Sequence, residues 1–466
     1  MNAYLLNRSL GLNGPGVLER AETTHLLHAL QPAINVNFSA APTSKAEEGS
    51  EDVQGYAAPQ RGLAHASGVN AITIDKFEGR YLLSGGADSS ITIWDLESSL
   101  STRGATYVPL SSVHRTSKEH KFGITQLIFY PFDSLAFLSS SYDHTVKLYS
   151  SETLSQSASF DLDSVVYTIA LSPIASHLLV ACATQHPAVR LVDLRSGART
   201  HSLAGHNGAV LSVAWSPTLE HILASGSTDG TVRFWDIRRG SGDIGGLDME
   251  DSLGIIGRDG FGAEAPRRCN GKAHAGAVNG LVWTEDGRHL VSAGHDERVR
   301  VWDTTTGANT LASFGPLVRN SHLSSLIPLL APSALVPAEK DVMFYPNEHE
   351  ILMYELFEGE MVKRLRRPSR PAGGARGGGR NVRNRITALA WRAHDVEFYS
   401  AHSDGSIGAW MPRSAEDVIA DEEEREGVGG EDENESRKRK REVLEDVYRD
   451  LMMRKVTYGS SSCEVT

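Results

Sequence analysis

Ser225-Gly226-Ser227-Thr228-Asp229-Gly230-Thr231-Val232-Arg233-Phe234-Trp235-Asp236 is the stretch that decides the fold. Val232-Arg233-Phe234 alternates apolar and polar residues, the period of a half-buried strand. Asp229-Gly230 is a tight-turn pair. An Asp stands six residues before the Trp, and a Ser four before that. The same order returns as Ser84-Asp88-Trp94, Ser139-Asp143-Tyr149, Ser292-Asp296-Trp302 and Ser400-Asp404-Trp410. A His lies upstream in four cases: His65, His120, His206 and His274. Weaker copies of the aromatic-ended strand occur at Val189 to Asp193 and Ile351 to Tyr354.

The seven key positions are Trp94, Tyr149, Val192, Trp235, Trp302, Tyr354 and Trp410, spaced by 55, 43, 43, 67, 52 and 56 residues. The short spacings match the roughly 40–45-residue WD40 unit, and the longer ones are that unit with loop insertions. The expected fold is all-β: a seven-bladed WD40 β-propeller over 63–412, with a short N-terminal helical element and a C-terminal tail. Within each blade the His, Ser, Asp and Trp read as a buried hydrogen-bond chain, His to Asp and Ser to the indole N–H, at roughly 1 kcal/mol net per bond. A Ser-His-Asp hydrolase is the competing interpretation. A hydrolase has one triad, whereas this set recurs at fixed spacing and no G-x-S-x-G elbow accompanies it. Blade three carries His186 where the turn Asp belongs, blade six is irregular, and blade seven lacks the upstream His.

Composition narrows the function. The chain has 466 residues, 40% of them hydrophobic, three cysteines and a formal charge of −12. Acidic residues crowd Glu416 to Glu435, so the body is nearer neutral. This balance argues against wholesale coating of nucleic acid. Cys182, Cys269 and Cys463 form no CxxC pair, which points away from a disulfide framework or a zinc site and toward a reducing compartment. The N-terminus lacks the apolar core and cleavage site of a secretory signal. No stretch approaches the roughly 18 apolar residues of a membrane span. No catalytic Cys or ATP-binding loop is present. The expectation is a non-catalytic protein with no cofactor, no metal, no membrane contact and no small-molecule substrate.

Outside the repeats, residues 1–40 carry Leu5, Leu6 and Leu10, the breaker Gly14-Pro15-Gly16, then Val17, Leu18 and Glu19 to Glu22. This reads as helix, turn, short helix, docked either on its own propeller or in a partner groove. Thr24 to Leu30 is a candidate outer strand closing the last blade, with a helix as the alternative. Residues 41–62 read as a linker. Gly240 to Pro266 reads as a disordered Gly-rich loop. Lys363 to Arg385 holds nine Lys/Arg and no acid and reads as a flexible loop. Its Arg376, Arg380 and Arg383 are candidate nucleic-acid contacts, against the plainer reading of a solvated insertion. Residues 413–441 are charged and disordered in expectation. Residues 442–466 read as an amphipathic helix and tail on Val443, Leu444, Val447, Tyr448 and Leu451. The run Arg437-Lys438-Arg439-Lys440-Arg441 suggests a nuclear localisation signal, or else a solvated charge block.

Fold alone does not give function. Blades three and four place an Arg two residues after the Asp, in Asp193-Leu194-Arg195 and Asp236-Ile237-Arg238. Blades one and five read Asp95-Leu96-Glu97 and Asp303-Thr304-Thr305 instead. Arg195 and Arg238 are expected side by side on the bottom face, where guanidinium forks suit carboxylates and carbonyls of a partner. The doubled Asp-x-Arg resembles substrate receptors of cullin–RING ubiquitin ligases. The nearer resemblance is to the Cockayne syndrome A family. It is carried by Gly11-Leu12, by Arg20-Ala21-Glu22 with Thr24, by Glu78-Gly79-Arg80-Tyr81-Leu82-Leu83-Ser84-Gly85-Gly86, by Val278-Asn279-Gly280-Leu281, and by Gly307-Ala308-Asn309-Thr310-Leu311. The arginine-rich insertion and the basic C-terminal helix depart from that family.

The resemblance implies a nuclear substrate receptor of transcription-coupled nucleotide excision repair. Its damaged-DNA-binding-type adaptor would be held through Leu5, Leu6, Leu10, Leu18, Asp193, Arg195, Asp236 and Arg238. Its opposite face would present a Cockayne syndrome B-type repair ATPase and stalled RNA polymerase II for ubiquitin transfer. The alternative is a scaffold of a chromatin or RNA-processing complex, with the Arg-rich loop on nucleic acid.

Overall fold

Strands of five or six residues, each ended by a turn-forming pair, can bury both faces only if sheets stack against sheets, and closing the stack into a ring removes the exposed sheet edges. The computed structural model describes residues 17–40, 63–98, 106–116, 118–174, 176–197, 199–239, 243–249, 271–337, 340–367 and 385–413. They form a seven-bladed β-propeller. Blade one comprises Val69–Ile74, Tyr81–Gly86, Ile91–Asp95 and Pro109–Val113, named a to d from the channel outward. Blades two, three and four repeat this order, with inner strands Ile124–Phe129, Val166–Leu171 and Val210–Trp215. Blade five shows three strands among the described residues, Val278–Trp283, His289–Gly294 and Arg298–Asp303, and an isolated bridge from Trp302 to Asn309. Blade six runs from Leu329–Leu330 through Val342–Pro346 and Ile351–Glu355 to Met361–Leu365.

Blade seven supplies Ile386–Trp391, Phe398–His402 and Ile407–Pro412, and takes its outer strand from the N-terminus. That strand is Leu30–Pro32, paired antiparallel so that Leu30 faces Pro412 and Pro32 faces Trp410. The sequence expectation of a closing strand at Thr24 to Leu30 is therefore shifted. Val17–His28 is a helix, α1, and the chain extends only from Leu30. Thr23 and Thr24 turn their hydroxyls back onto the Glu19 and Arg20 carbonyls inside the helix, and Leu27 is wholly buried. One buried leucine on an otherwise exposed turn suits a helix docked by a narrow stripe.

Two expected loops are partly strand. Asp243–Gly246, inside the Gly-rich insertion, is the outer strand of blade four. Lys363 to Leu365, at the start of the arginine-rich segment, belongs to the outer strand of blade six. Lys363 Nζ donates to the carbonyls of His28 and Leu30 at 2.9 and 2.8 Å, tying blade six to the closing strand. Past Pro32, Phe38 is buried between blades seven and one, edge-on to Trp94 and Tyr399 and stacked on Tyr107.

Consecutive blades are also joined at their upper turns. The carbonyl of Gly230, in the b–c turn of blade four, accepts the N–H of His274 from blade five at 3.0 Å. Gly230 has φ +83°, and a Cβ there would lie 2.4 Å from the His274 carbonyl, so only glycine fits. Gly405 of blade seven does the same for Ala64 of blade one.

Candidate docking face

The hydrogen-bond sets inside the blades decide which polar residues are left for function. In blade five His274 Nδ1 meets Asp296 at 2.8 Å and Nε2 meets Ser292 Oγ at 2.7 Å, while Trp302 Nε1 donates to the same Oγ at 2.8 Å. Blade two keeps His120, Asp143 and Ser139 in this arrangement, at 2.9 and 2.7 Å. Its Tyr149 turns the phenol to Glu119 instead. In blades one and four the chain has an extra link. His65 Nδ1 meets Ser90 Oγ at 2.6 Å, which donates to Asp88, and His65 and Asp88 stand 3.7 Å apart. His206 reaches Asp229 through Thr231 in the same way, at 3.8 Å. Ser84 and Ser225 still join His65 and His206 to Trp94 and Trp235 at 2.7–2.8 Å. The direct His-to-Asp contact expected from sequence is therefore replaced in these blades by the Ser90 or Thr231 hydroxyl, whereas in blade two Thr145 holds the same place and the direct contact remains.

Four histidines and three tryptophans are buried in these sets. Every member is satisfied by a neighbour, so none is free to act as a nucleophile or base on a ligand. Burial opposes ionisation of Asp88, Asp143, Asp229 and Asp296, but their hydrogen bonds outweigh it: His120 and His274 reach Asp143 and Asp296 directly, while Ser90 and Thr231 donate to Asp88 and Asp229 with His65 and His206 close by. All four carboxyls are held well below the usual range. In blade three Cys182 and Val192 occupy the Ser and Trp positions, and in blade six Tyr345 and Tyr354 do. These blades replace the polar set by apolar packing.

The lower face carries the a–b and c–d turns, and both Asp-x-Arg pairs stand there. Each Asp anchors its own turn. Asp193 accepts the Arg195 N–H at 3.0 Å and the Ser196 hydroxyl at 2.8 Å. Asp236 accepts the Arg238 N–H at 3.0 Å, and it is also gripped by Arg238 Nε at 3.0 Å and Nη2 at 2.7 Å. The Arg238 fork holds the Asp236 carboxyl below the usual range, against the opposing effect of burial. Asp193 is lowered by the Arg195 N–H and the Ser196 hydroxyl. The two arginines therefore differ. Arg195 is exposed, and Arg238 is clasped by its own Asp with 65% of its side chain in solvent. The turn Asp is not special to these blades. Asp303 accepts the Thr305 N–H and hydroxyl in blade five, and in blade one Arg80 from the a–b turn grips Asp95. Blades three and four are set apart by the Arg two residues beyond the Asp.

Helix α1 enters the same face. Leu30 pairs with Pro412, the lower end of blade seven's c strand, so the helix preceding it lies at the lower rim. Thr23 Oγ1 donates to the Leu335 carbonyl in the a–b turn of blade six at 2.6 Å. Leu27 packs with Leu30, Ala331, Val336, Phe398 and Trp410. Leu18 lies on α1. Leu5, Leu6 and Leu10 lie outside the described residues, as do Arg376, Arg380, Arg383, Cys269, Cys463, the basic pentad and the expected C-terminal helix. Of the described basic residues in the arginine-rich segment, Arg364 and Arg366 pair with Glu350, and Arg367 donates to Ser406.

Sequence reasoning missed His402. It meets Ser400 Oγ at 3.0 Å, while Trp410 Nε1 donates to that Oγ at 2.9 Å, so blade seven has a histidine after all. Its signal was a His two residues beyond the Ser in a strand, not an upstream one. Among the described residues, Glu355, Glu358 and Glu360 come close enough to share an ion. Two of them are exposed turn acids, a common arrangement without metal. No described helix is long and apolar enough to cross a membrane.

Against known proteins, the family "WD domain, G-beta repeat" matches residues 58–95, 111–150, 197–236 and 267–303. Each span ends at the c strand of blade one, two, four or five, the blades with an upstream His. The chain is 29% identical over 425 residues to the WD repeat-containing protein ATCSA-1 of Arabidopsis thaliana, covering 77% of this chain and 89% of that protein. It is also 29% identical to the ribosome biogenesis protein ytm1 of Emericella nidulans over 289 residues, and of Aspergillus niger over the same length. These matches cover 55% of this chain and little more than half of each ytm1 protein, 57% and 56%. With the ring of blades, the chain is a seven-bladed β-propeller carrying WD40 repeats.

Proposed function

We propose that this propeller is a non-catalytic substrate receptor that docks on a damaged-DNA-binding-type adaptor of a cullin–RING ubiquitin ligase, serving transcription-coupled nucleotide excision repair in the nucleus. The observation that carries the proposal is the placement of α1, Arg195 and Arg238 on one face, with the tetrad residues sealed inside the blades. The resemblance to the Cockayne syndrome A family, and the alignment with ATCSA-1 over 89% of that protein, support it. The receptor performs no bond chemistry. It raises the effective concentration of acceptor lysines near the ligase. The upper face is then left for a Cockayne syndrome B-type ATPase and RNA polymerase II.

The ytm1 similarity favours a second reading, a scaffold in ribosome assembly or other RNA processing. Co-elution of the purified chain with the adaptor tests the first. Arg195→Ala with Arg238→Ala should weaken the complex without lowering the melting temperature, and a double variant that binds like wild type overturns the role of the lower-face arginines. Steep salt-dependent RNA binding that vanishes on deleting residues 368–384, a deletion that spares the blade-six strand, would favour the scaffold.

A further inference from the structure

The lower face has an apolar half. The a–b turns of blades one to four carry Phe77, Phe132 with Leu135, Ile174 and Leu219, each between 46% and 54% exposed. Repetition of large apolar side chains at the same turn of four consecutive blades differs from the scattered exposed leucines of an ordinary surface. The turns are joined: His177 Nε2 in blade three meets the Glu220 carbonyl in blade four at 3.0 Å, and His394 in blade seven meets the Phe77 carbonyl at 2.9 Å. Inside the arc the central channel opens into a cavity of about 820 Å³, lined among others by Ile74, Phe129, Leu171, Trp215, Trp283 and Trp391.

Exposed carboxylates are spread around the face, and Glu78 and Asp133 stand beside Phe77 and Phe132. The a–b turn of blade five exposes Glu285 and Asp286, and the c–d turn of blade six exposes Glu358 and Glu360. The arginines lie on the apolar side, since Arg195 shares blade three with Ile174 and Arg238 shares blade four with Leu219. An apolar surface carrying guanidinium groups at blades three and four selects for apolar side chains with acids toward those two blades.

We infer that the arc Phe77–Phe132–Ile174–Leu219 and the channel mouth behind it seat an apolar, carboxylate-flanked segment of the adaptor. This inference rests on the adaptor-receptor reading above and adds a second contact to the one made by α1. The apolar side chains fill the mouth, and the flanking carboxylates reach Arg195 and Arg238. Such a partly desolvated apolar centre with a charged edge is where binding energy concentrates.

The test uses the full chain and the purified adaptor, with affinity read by biolayer interferometry and each variant checked by thermal melting. Phe132→Asp combined with Leu219→Asp should weaken binding about tenfold or more. Phe122→Asp, at a residue 59% exposed in a turn of the opposite face, should leave it unchanged. If the Asp pair lowers the melting temperature, Phe132→Ser with Leu219→Ser is read in its place. Wild-type protein that does not bind the adaptor overturns the receptor reading and this inference with it. Wild-type binding that either folded double variant matches overturns the arc alone. A concentration-dependent dimer that the double variant dissolves assigns the arc to a second copy of the chain and likewise overturns it.

Discussion

His402 Nε2 lies 3.0 Å from Ser400 Oγ, two residues along the same strand. In blades one, two, four and five the corresponding imidazole arrives from 18 or 19 residues upstream. Blade seven thus satisfies its serine from within, and Trp410 Nε1 is anchored to that serine as firmly as Trp94 is in blade one.

His402→Ala should therefore destabilise the protein by roughly 1–2 kcal/mol, since it removes the buried contact to Ser400 and leaves that hydroxyl only the long 3.4 Å bond to the Gly408 carbonyl beside the Trp410 N–H. A thermal melt checks this, with adaptor binding unchanged once the protein is folded. A variant that melts with wild type would mean the contact adds nothing to the blade.

The closing strand gives a larger effect. Leu27 is wholly buried against blades six and seven, so Leu27→Ala should cost about 2–5 kcal/mol. Removing residues 1–32 goes further. It strips the Leu30–Pro32 partner from Ile407–Pro412 and leaves an open sheet edge. Light scattering should then report aggregation, together with a lower melting temperature. An unchanged melt for the truncated chain would show that the ring holds without its N-terminal strand.

Acid sensitivity arises at Asp143. Burial opposes its ionisation, but His120, the Thr145 hydroxyl and the Lys121 N–H all stabilise the carboxylate and win. Its pKa is lower in the folded chain than the ordinary value of about 4 for the unfolded one. The stabilisation is thus complete above about pH 4 and is lost as pH falls through the folded value. Asp143→Asn should melt below wild type at pH 7, and the gap should narrow as pH drops below about 4. A gap that is constant over that range would separate the effect from ionisation.

The parts of the fold legible in sequence are those with local periodicity. Trp94, Trp235, Trp302 and Trp410 mark c strands because the strand, its turn Asp and its Ser lie within 11 residues. Blade number came from their spacing. The closing strand was placed too early because Thr24 to Leu30 has no period that separates strand from helix. The choice is made by blade six, through Leu335 and Lys363, more than 300 residues away. The docking face was half legible. The Asp-x-Arg pairs could be read, but not that Arg238 grips Asp236 while Arg195 does not grip Asp193. That difference depends on Ser196, which occupies the Asp193 oxygen first. The apolar arc was invisible, because Phe77, Phe132, Ile174 and Leu219 are far apart in sequence and become neighbours only around the ring.

Blade three offers the sharpest contrast with its neighbours. Cys182 stands where blades one, two, four, five and seven place serine, and Val192 where they place an aromatic residue. Its thiol is fully buried, packed with Leu138, Val146 and Val180, and burial pushes its pKa up to about 12. A thiol in this environment behaves as a small apolar group. Cys182→Ser would install the serine of the neighbouring blades yet should destabilise the protein by about 1–3 kcal/mol, because no indole N–H or upstream imidazole waits for the hydroxyl. Cys182→Ala should cost less than the serine variant, since it loses only packing. Melting temperatures in the order wild type, alanine, serine would support apolar replacement of the polar set. A serine variant as stable as wild type would mean that blade three hides a hydrogen-bond partner of its own.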